Sequence, residues 1–330
     1  MGERYHKKHR EKRPQPKSEE RINERIYKPA WICIYCGSDG GGRKLGREHI
    51  LAAGLKGDQI IPRASCGSCE EVTGKLEAIV TNRNFGTFRR VMDIRSGRRP
   101  PPTELLRLVV KNVDGSQAER LVTPSDYPAQ LLLPKLKLPG ALTGNFRAPL
   151  MCDFQWVTLS KSQKLEIEER LGGEVITTAS FDIPAFARMI AKIGYALAAA
   201  EIGLENFHPY GLKFIFGKQP EAIGGLVGQS NWFPDGLRTD ASMHHLMIKP
   251  IPSGGRHLIA VGVHLFARHT PIVYTTIVGH LTPKESFWGW PGLLPLGPNV
   301  IESLRGQYER FPAPPLGDHP KLGPLRPAGG

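Results

Sequence analysis

Four of the chain's five cysteines are gathered in one stretch, as the pairs Cys33–Cys36 and Cys66–Cys69, each with two residues between the thiols. Two CxxC pairs about thirty residues apart offer four thiolates to a closed tetrahedral zinc site. Two intervening residues let the chain turn around the metal, and zinc then supplies stability that roughly forty-five residues cannot bury for themselves. An iron–sulfur centre or a redox pair uses similar spacing, but the redox pair lacks the adjoining βαβ pattern. Between the pairs lies a second kind of chemistry, the dipeptide Glu48-His49. A carboxylate beside an imidazole suits a divalent cation on a phosphodiester, with the histidine taking a proton from water.

Such groups need elements to position them. Leu45 to Leu51 reads as a strand, on which Glu48 and His49 point to opposite faces. The second CxxC opens a helix, GSCEEVTGKLEAIVTNRNF, whose apolar face is Cys69, Val72, Leu76, Ile79 and Val80. At helical spacing Glu70, Thr73 and Glu77 line one edge of that face, while Glu71 points away. A strand bearing His49, packed on this helix, brings imidazole and carboxylates together.

At these residues the chain resembles the HNH endonucleases of the ββα-metal fold, in the subgroup with two structural CxxC pairs. The matching text is CIYCG, REHIL, ASCGSC and the helix beginning EEVTGKLE, over about residues 31–85. The resemblance implies a structural zinc on Cys33, Cys36, Cys66 and Cys69. It also implies His49 as general base, and Glu48 and Glu70 as ligands of a catalytic Mg²⁺ or Mn²⁺. Glu70 stands where the family has His or Asn, Ala52 where many relatives have proline, and the middle Asn that orients the base has no counterpart in IIPRAS. The implied function is metal-dependent hydrolysis of DNA. The alternative is a degenerate zinc module that binds nucleic acid, RNA included, or a protein without cleaving.

The charge agrees with such a partner. Lys and Arg number 44 against 31 Asp and Glu, a net +13, and an excess of this sign favours polyanions. Behind the helix, Arg83, Arg89, Arg90, Arg95, Arg98 and Arg99 accompany the single Asp93, and their forks suit phosphate oxygens.

The rest of the chain reads as a larger unit. RSGRRPPPT at 95–103 breaks any helix and reads as a linker between a cysteine module (29–94) and a domain over 104–310. Residues 1–28 read as a disordered basic tail, and 311–330 as an extended Pro/Gly tail. In the larger domain 105–113 reads as a strand ending at Asp114-Gly115, and SKSQKLEIEERLGG as a short helix. FDIPAFARMIAKIGYALAAAEIGLENF reads as a helix buried nearly all round, capped by Asp182 with Pro184 in its first turn. Apolar runs at 214–216, 245–251, 257–267 and 271–281 read as an antiparallel sheet, so the class is α+β. His244, His245, His257, His264, His269 and His280 lack ligand-like spacing, Cys152 reads as a small core residue, and Trp288 and Trp290 read as core aromatics. With no secretory segment and no run of ~18 apolar residues, the expected location is the cytoplasm.

Overall fold

The computed structural model of the protein describes residues 24–94, 105–230, 243–253 and 256–282. In chain order the strands and main helices are β1 (Arg25–Ile26), β2 (Gly46–His49), β3 (Gln59–Ser65), α1 (Gly67–Ile79), α2 (Gly86–Val91), β4 (Leu106–Asn112), β5 (Gln117–Val122), β6 (Gln130–Leu136), β7 (Cys152–Thr158), α3 (Lys161–Leu171), β8 (Gly173–Ile176), α4 (Ile183–Glu201), β9 (Phe207–Pro209), α5 (Leu212–Ile215), β10 (Val227–Gln229), β11 (His245–Ser253), β12 (Arg256–His264) and β13 (Tyr274–Leu281). Helix and strand are mixed, with antiparallel pairing in every sheet, so the α+β class holds.

The cysteine region folds as an antiparallel pair, β2 with β3, followed directly by α1. The short β1 adds to β3 in parallel. After α1 the chain makes a π-helical turn at Val80–Asn84 before α2. In the rest of the chain β10, β13, β12 and β11 form one sheet, with β9 also on β13. Helix α4 lies across this sheet, close enough that a Cβ on Gly194 would fall 2.2 Å from Thr276 Cγ2. Glycine at that position therefore sets how near helix and sheet approach.

The cap read from the sequence at Asp182 is present, and the structure adds one at Ser160. Asp182 accepts from the Ala185 amide at the start of α4, and Ser160 accepts from Gln163 at the start of α3. Each satisfies an amide that the helix itself leaves unpaired. The apolar face expected of α1 is altered, however: Thr73 is buried in it and Ile79 is exposed. The expected strand at 214–216 is corrected to a helix, since Leu212–Ile215 coils with Phe214 and Ile215 turned inward. A run of three apolar residues is too short for periodicity to distinguish the two.

One apolar cluster runs without a break from Cys33 through α4 to Val278. A smaller one, with Leu106, Leu108, Val122, Ile167 and Val175, fills the layer between α3 and the sheet β5-β4-β8. The cysteine region thus shares its core with the large sheet. The expected linker at 95–103, the tail at 311–330 and both Trp288 and Trp290 lie outside the described residues, as does most of the tail at 1–28. Among the described residues α4 alone is long and apolar enough to cross a membrane, and 72% of that stretch is buried inside the protein.

His244 also ties the two regions together. Its Nδ1 accepts from the Phe266 amide at 3.2 Å, so Nε2 carries the proton and donates to the Leu55 carbonyl at 2.8 Å. Burial, with His245 and His264 nearby, lowers its pKa to about 4. The unfolded chain, with a value near ~6.5, takes up the proton first, so stability is complete above that pH and falls as the pH drops towards the folded value. Urea denaturation should show wild type losing up to about 3 kcal/mol more than His244→Gln between neutral pH and the folded pKa. Equal losses in the two proteins would show that His244 is not held neutral.

Candidate functional site

The four cysteine sulfurs converge. Cys33 and Cys36 come from the turn before β2, Cys66 and Cys69 from the start of α1, and all four Sγ atoms lie within 4.8 Å of one another. Cys36 and Cys66 are 3.7 Å apart, and a tetrahedral site with Zn–S near 2.3 Å has sulfur edges of about 3.8 Å. All four are free thiols. The hydrogen bond from Cys69 is the largest influence on Cys33 and lowers it to about 4, while Cys69 is raised. A divalent cation removes this conflict by replacing the shared protons. The donor set therefore fits structural zinc.

Glu48 and His49 are consecutive on β2, Glu48 buried and His49 half-buried, and the surroundings of Glu48 were not foreseen. Its carboxylate is only 4% exposed. Oε1 accepts from the Tyr35 hydroxyl at 2.9 Å and lies 2.5 Å from the Lys192 ammonium. Lys192 comes from the middle of α4 and is 0% exposed. Its Nζ also lies 2.7 Å from Glu77 Oε1 and donates to the His49 carbonyl, with the Ile50 carbonyl at 3.4 Å. An ammonium has three protons to give, and here two carboxylates and a backbone oxygen receive them. Burial opposes its charge, but Glu48 and Glu77 outweigh that and raise Lys192 above its ordinary value. For Glu48 burial is the larger influence, and its carboxyl is raised despite Lys192.

His49 is half-buried, and its imidazole has no hydrogen-bond partner among the described residues. Burial lowers its pKa, so the ring is neutral at pH 7. Glu70 is exposed on the first turn of α1, where its Oε2 lies 2.7 Å from the place a Cβ on Gly46 would take. Gly46 opens β2, whereas Glu48 is turned towards α4. The site thus unites Glu48 with Glu77, which the sequence placed at the helix edge, through Lys192. It does not offer Glu48 and Glu70 to one exposed cation. A catalytic Mg²⁺ keeps several waters and substrate oxygens around it, and a buried carboxylate already paired with an ammonium leaves no room for them. The residues present do not fit that ion.

The arginines divide similarly. Arg83 is exposed and lies 3.6 Å from Asp182. Arg89 is corrected from phosphate ligand to structural residue: it is 8% exposed, and its guanidinium caps the Thr81 carbonyl and Asn82 at the π-helical turn. Arg90 is partly buried and bonds the Gly86 carbonyl. Arg95, Arg98 and Arg99 lie outside the described residues. Neither a protein-family model, a curated protein nor a solved structure matches this chain.

Lys192 is the residue that sequence reasoning missed. Its signal was present as one lysine in the middle of a helix apolar on nearly every face, where only a buried partner explains a charge.

Two outcomes test this site. Elemental analysis should find one zinc per chain, lost together with cooperative unfolding when Cys33 and Cys69 are replaced by serine; zinc-free protein with unchanged melting would remove the metal. Lys192→Met should cost roughly 3–5 kcal/mol in chemical denaturation, because Glu48 and Glu77 are left facing each other. Adding Glu48→Gln should restore part of it. A loss equal in the single and double variants would show that the pairing is not what stabilises.

Proposed function

We propose that this chain is a zinc protein that binds nucleic acid through its cysteine region and does not cut it by a divalent-metal route. The observation behind the reading is the ammonium of Lys192, seated between Glu48 and Glu77 with Glu48 shut away from solvent. The carboxylate that the HNH resemblance assigns to a catalytic metal has a resident cation instead. What remains is a zinc-stapled hairpin and helix on a protein of net charge +13, suited to polyanions by counterion release.

A second reading, endonuclease, is favoured by His49. A half-buried, neutral imidazole at a strand end is a competent proton acceptor, and the Lys192 bond to its backbone carbonyl holds the strand beneath it. In that reading His49 takes the proton of the attacking water, and no metal step is assigned.

Supercoiled plasmid with Mg²⁺ or Mn²⁺ separates the readings. Zinc-loaded protein should retard the plasmid in a gel, more weakly as salt rises, and leave it supercoiled. Nicking that disappears in His49→Ala would replace the binding reading with the nuclease. Absence of retardation at low salt would remove both.

A further inference from the structure

The edge of the cysteine region carries a feature that zinc binding does not explain. The segment before Cys33 runs beside β3, with the Ala30 amide bonded to the Pro62 carbonyl and the Ile34 amide to the Ala64 carbonyl. Between these two bonds one residue on each segment leaves the ordinary extended backbone. Trp31 has φ +62° and Arg63 has φ +49°, both in the left-handed region that large side chains avoid. Together these conformations bring the Arg63 guanidinium 4.2 Å from the centre of the Trp31 ring.

The pair is not hidden. Trp31 is 59% exposed and Arg63 is exposed, and Ile32 beside them is 37% exposed. A bulky aromatic that strains its backbone in order to face water gains nothing from the core. Strain of this kind gathers at ligand-binding positions. The chemistry of the surroundings selects the ligand. From Arg25 to Ser38 and from Gln59 to Ser65 the two paired segments carry Arg25, Lys28 and Arg63 and no carboxylate. Arg25 is engaged with Glu201 at 2.8 Å, but Arg63, over the indole, and Lys28, three residues before it in the chain, are exposed cations.

We infer that Trp31 and Arg63 form a stacking platform for an unpaired base of single-stranded nucleic acid, with Arg63 and Lys28 on the adjoining phosphates. An indole accepts the flat face of any base, and a guanidinium stacked on it adds charge without covering the whole ring. A duplex keeps its bases stacked on one another and offers the platform only phosphates. The platform therefore favours single strands over duplexes and is tolerant of sequence. This inference rests on the nucleic-acid reading above and adds which form of nucleic acid is held, and where.

Fluorescence anisotropy of zinc-loaded full-length protein with a labelled oligo(dT) and with a duplex of equal length tests it. Wild type should prefer the single strand. Trp31→Ala should weaken oligo(dT) binding by about tenfold, within the fivefold to hundredfold range of a lost base stack. Duplex binding and the salt slope should stay unchanged, and Trp31→Phe should restore most of the loss. Arg63→Gln should weaken both ligands and reduce the salt slope. Wild type should also cross-link to 5-bromouracil-substituted oligo(dT) at Trp31, a readout that needs no variant. If wild type binds both ligands but Trp31→Ala changes neither and the cross-link falls elsewhere, the platform is overturned and the nucleic-acid reading stands. Polyglutamate displacing oligo(dT) at equal charge would also overturn it. If wild type binds neither ligand, both are overturned.

Discussion

The ammonium of Lys192 is the interaction on which the arrangement depends. It sits where the first strand of the cysteine region, the helix behind it and the long core helix meet, and each contributes a partner: Glu48 and the His49 carbonyl, Glu77, and Lys192 itself. One cation between two carboxylates leaves the cluster with an excess negative charge. That excess is tolerable because Glu77 is partly open to solvent and Tyr35 donates to Glu48. Removing Lys192 leaves two carboxylates facing each other without compensation, a larger cost than the net contribution of the intact cluster, whereas removing either carboxylate leaves a neutral pair.

Lys192 is the middle of a longer seam. At the start of α4, the Asn84 amide donates to the Asp182 carbonyl and the Asp182 amide donates back to Asn84. One turn beyond Lys192, the Tyr195 hydroxyl donates to the Ile34 carbonyl, beside the cysteines. At its end Glu201 receives Arg25 and Tyr27. Helix α4 thus meets the cysteine region along its whole length while its other faces pack on the large sheet. A metal on the four cysteines would hold their turns together; the polar seam explains why they share one core with the rest of the chain. It also accounts for the buried carboxylates, which would be costly on a free-standing zinc module.

The same seam leaves the cysteine region with an inward and an exposed side. The face with Glu48 packs inward and is chemically satisfied. Trp31, Arg63 and Cys36 face water. The proposed contact with a polyanion is assigned to these residues. His49 is half-buried at the end of its strand.

The sequence by itself determined the four-cysteine cluster, the strand bearing Glu48 and His49 and the helix after the second CxxC, the Asp182 cap of α4 and the strands β11 to β13. Each of these rests on local information: thiol spacing, alternation, or a capping side chain three residues from the amide it satisfies. It also marked Glu77 at the edge of α1, though as an outward carboxylate. Only the tertiary structure decided the fate of the charges. Glu48 meets Lys192 across 144 positions of sequence, Arg89 folds back on a π-helical turn, and Trp31 meets Arg63 through two unusual backbone conformations. Charge pairing over such separations has no periodicity to read. The electrostatic role of a side chain is set by the dielectric and partners that folding gives it, and those come from elements far apart in the chain.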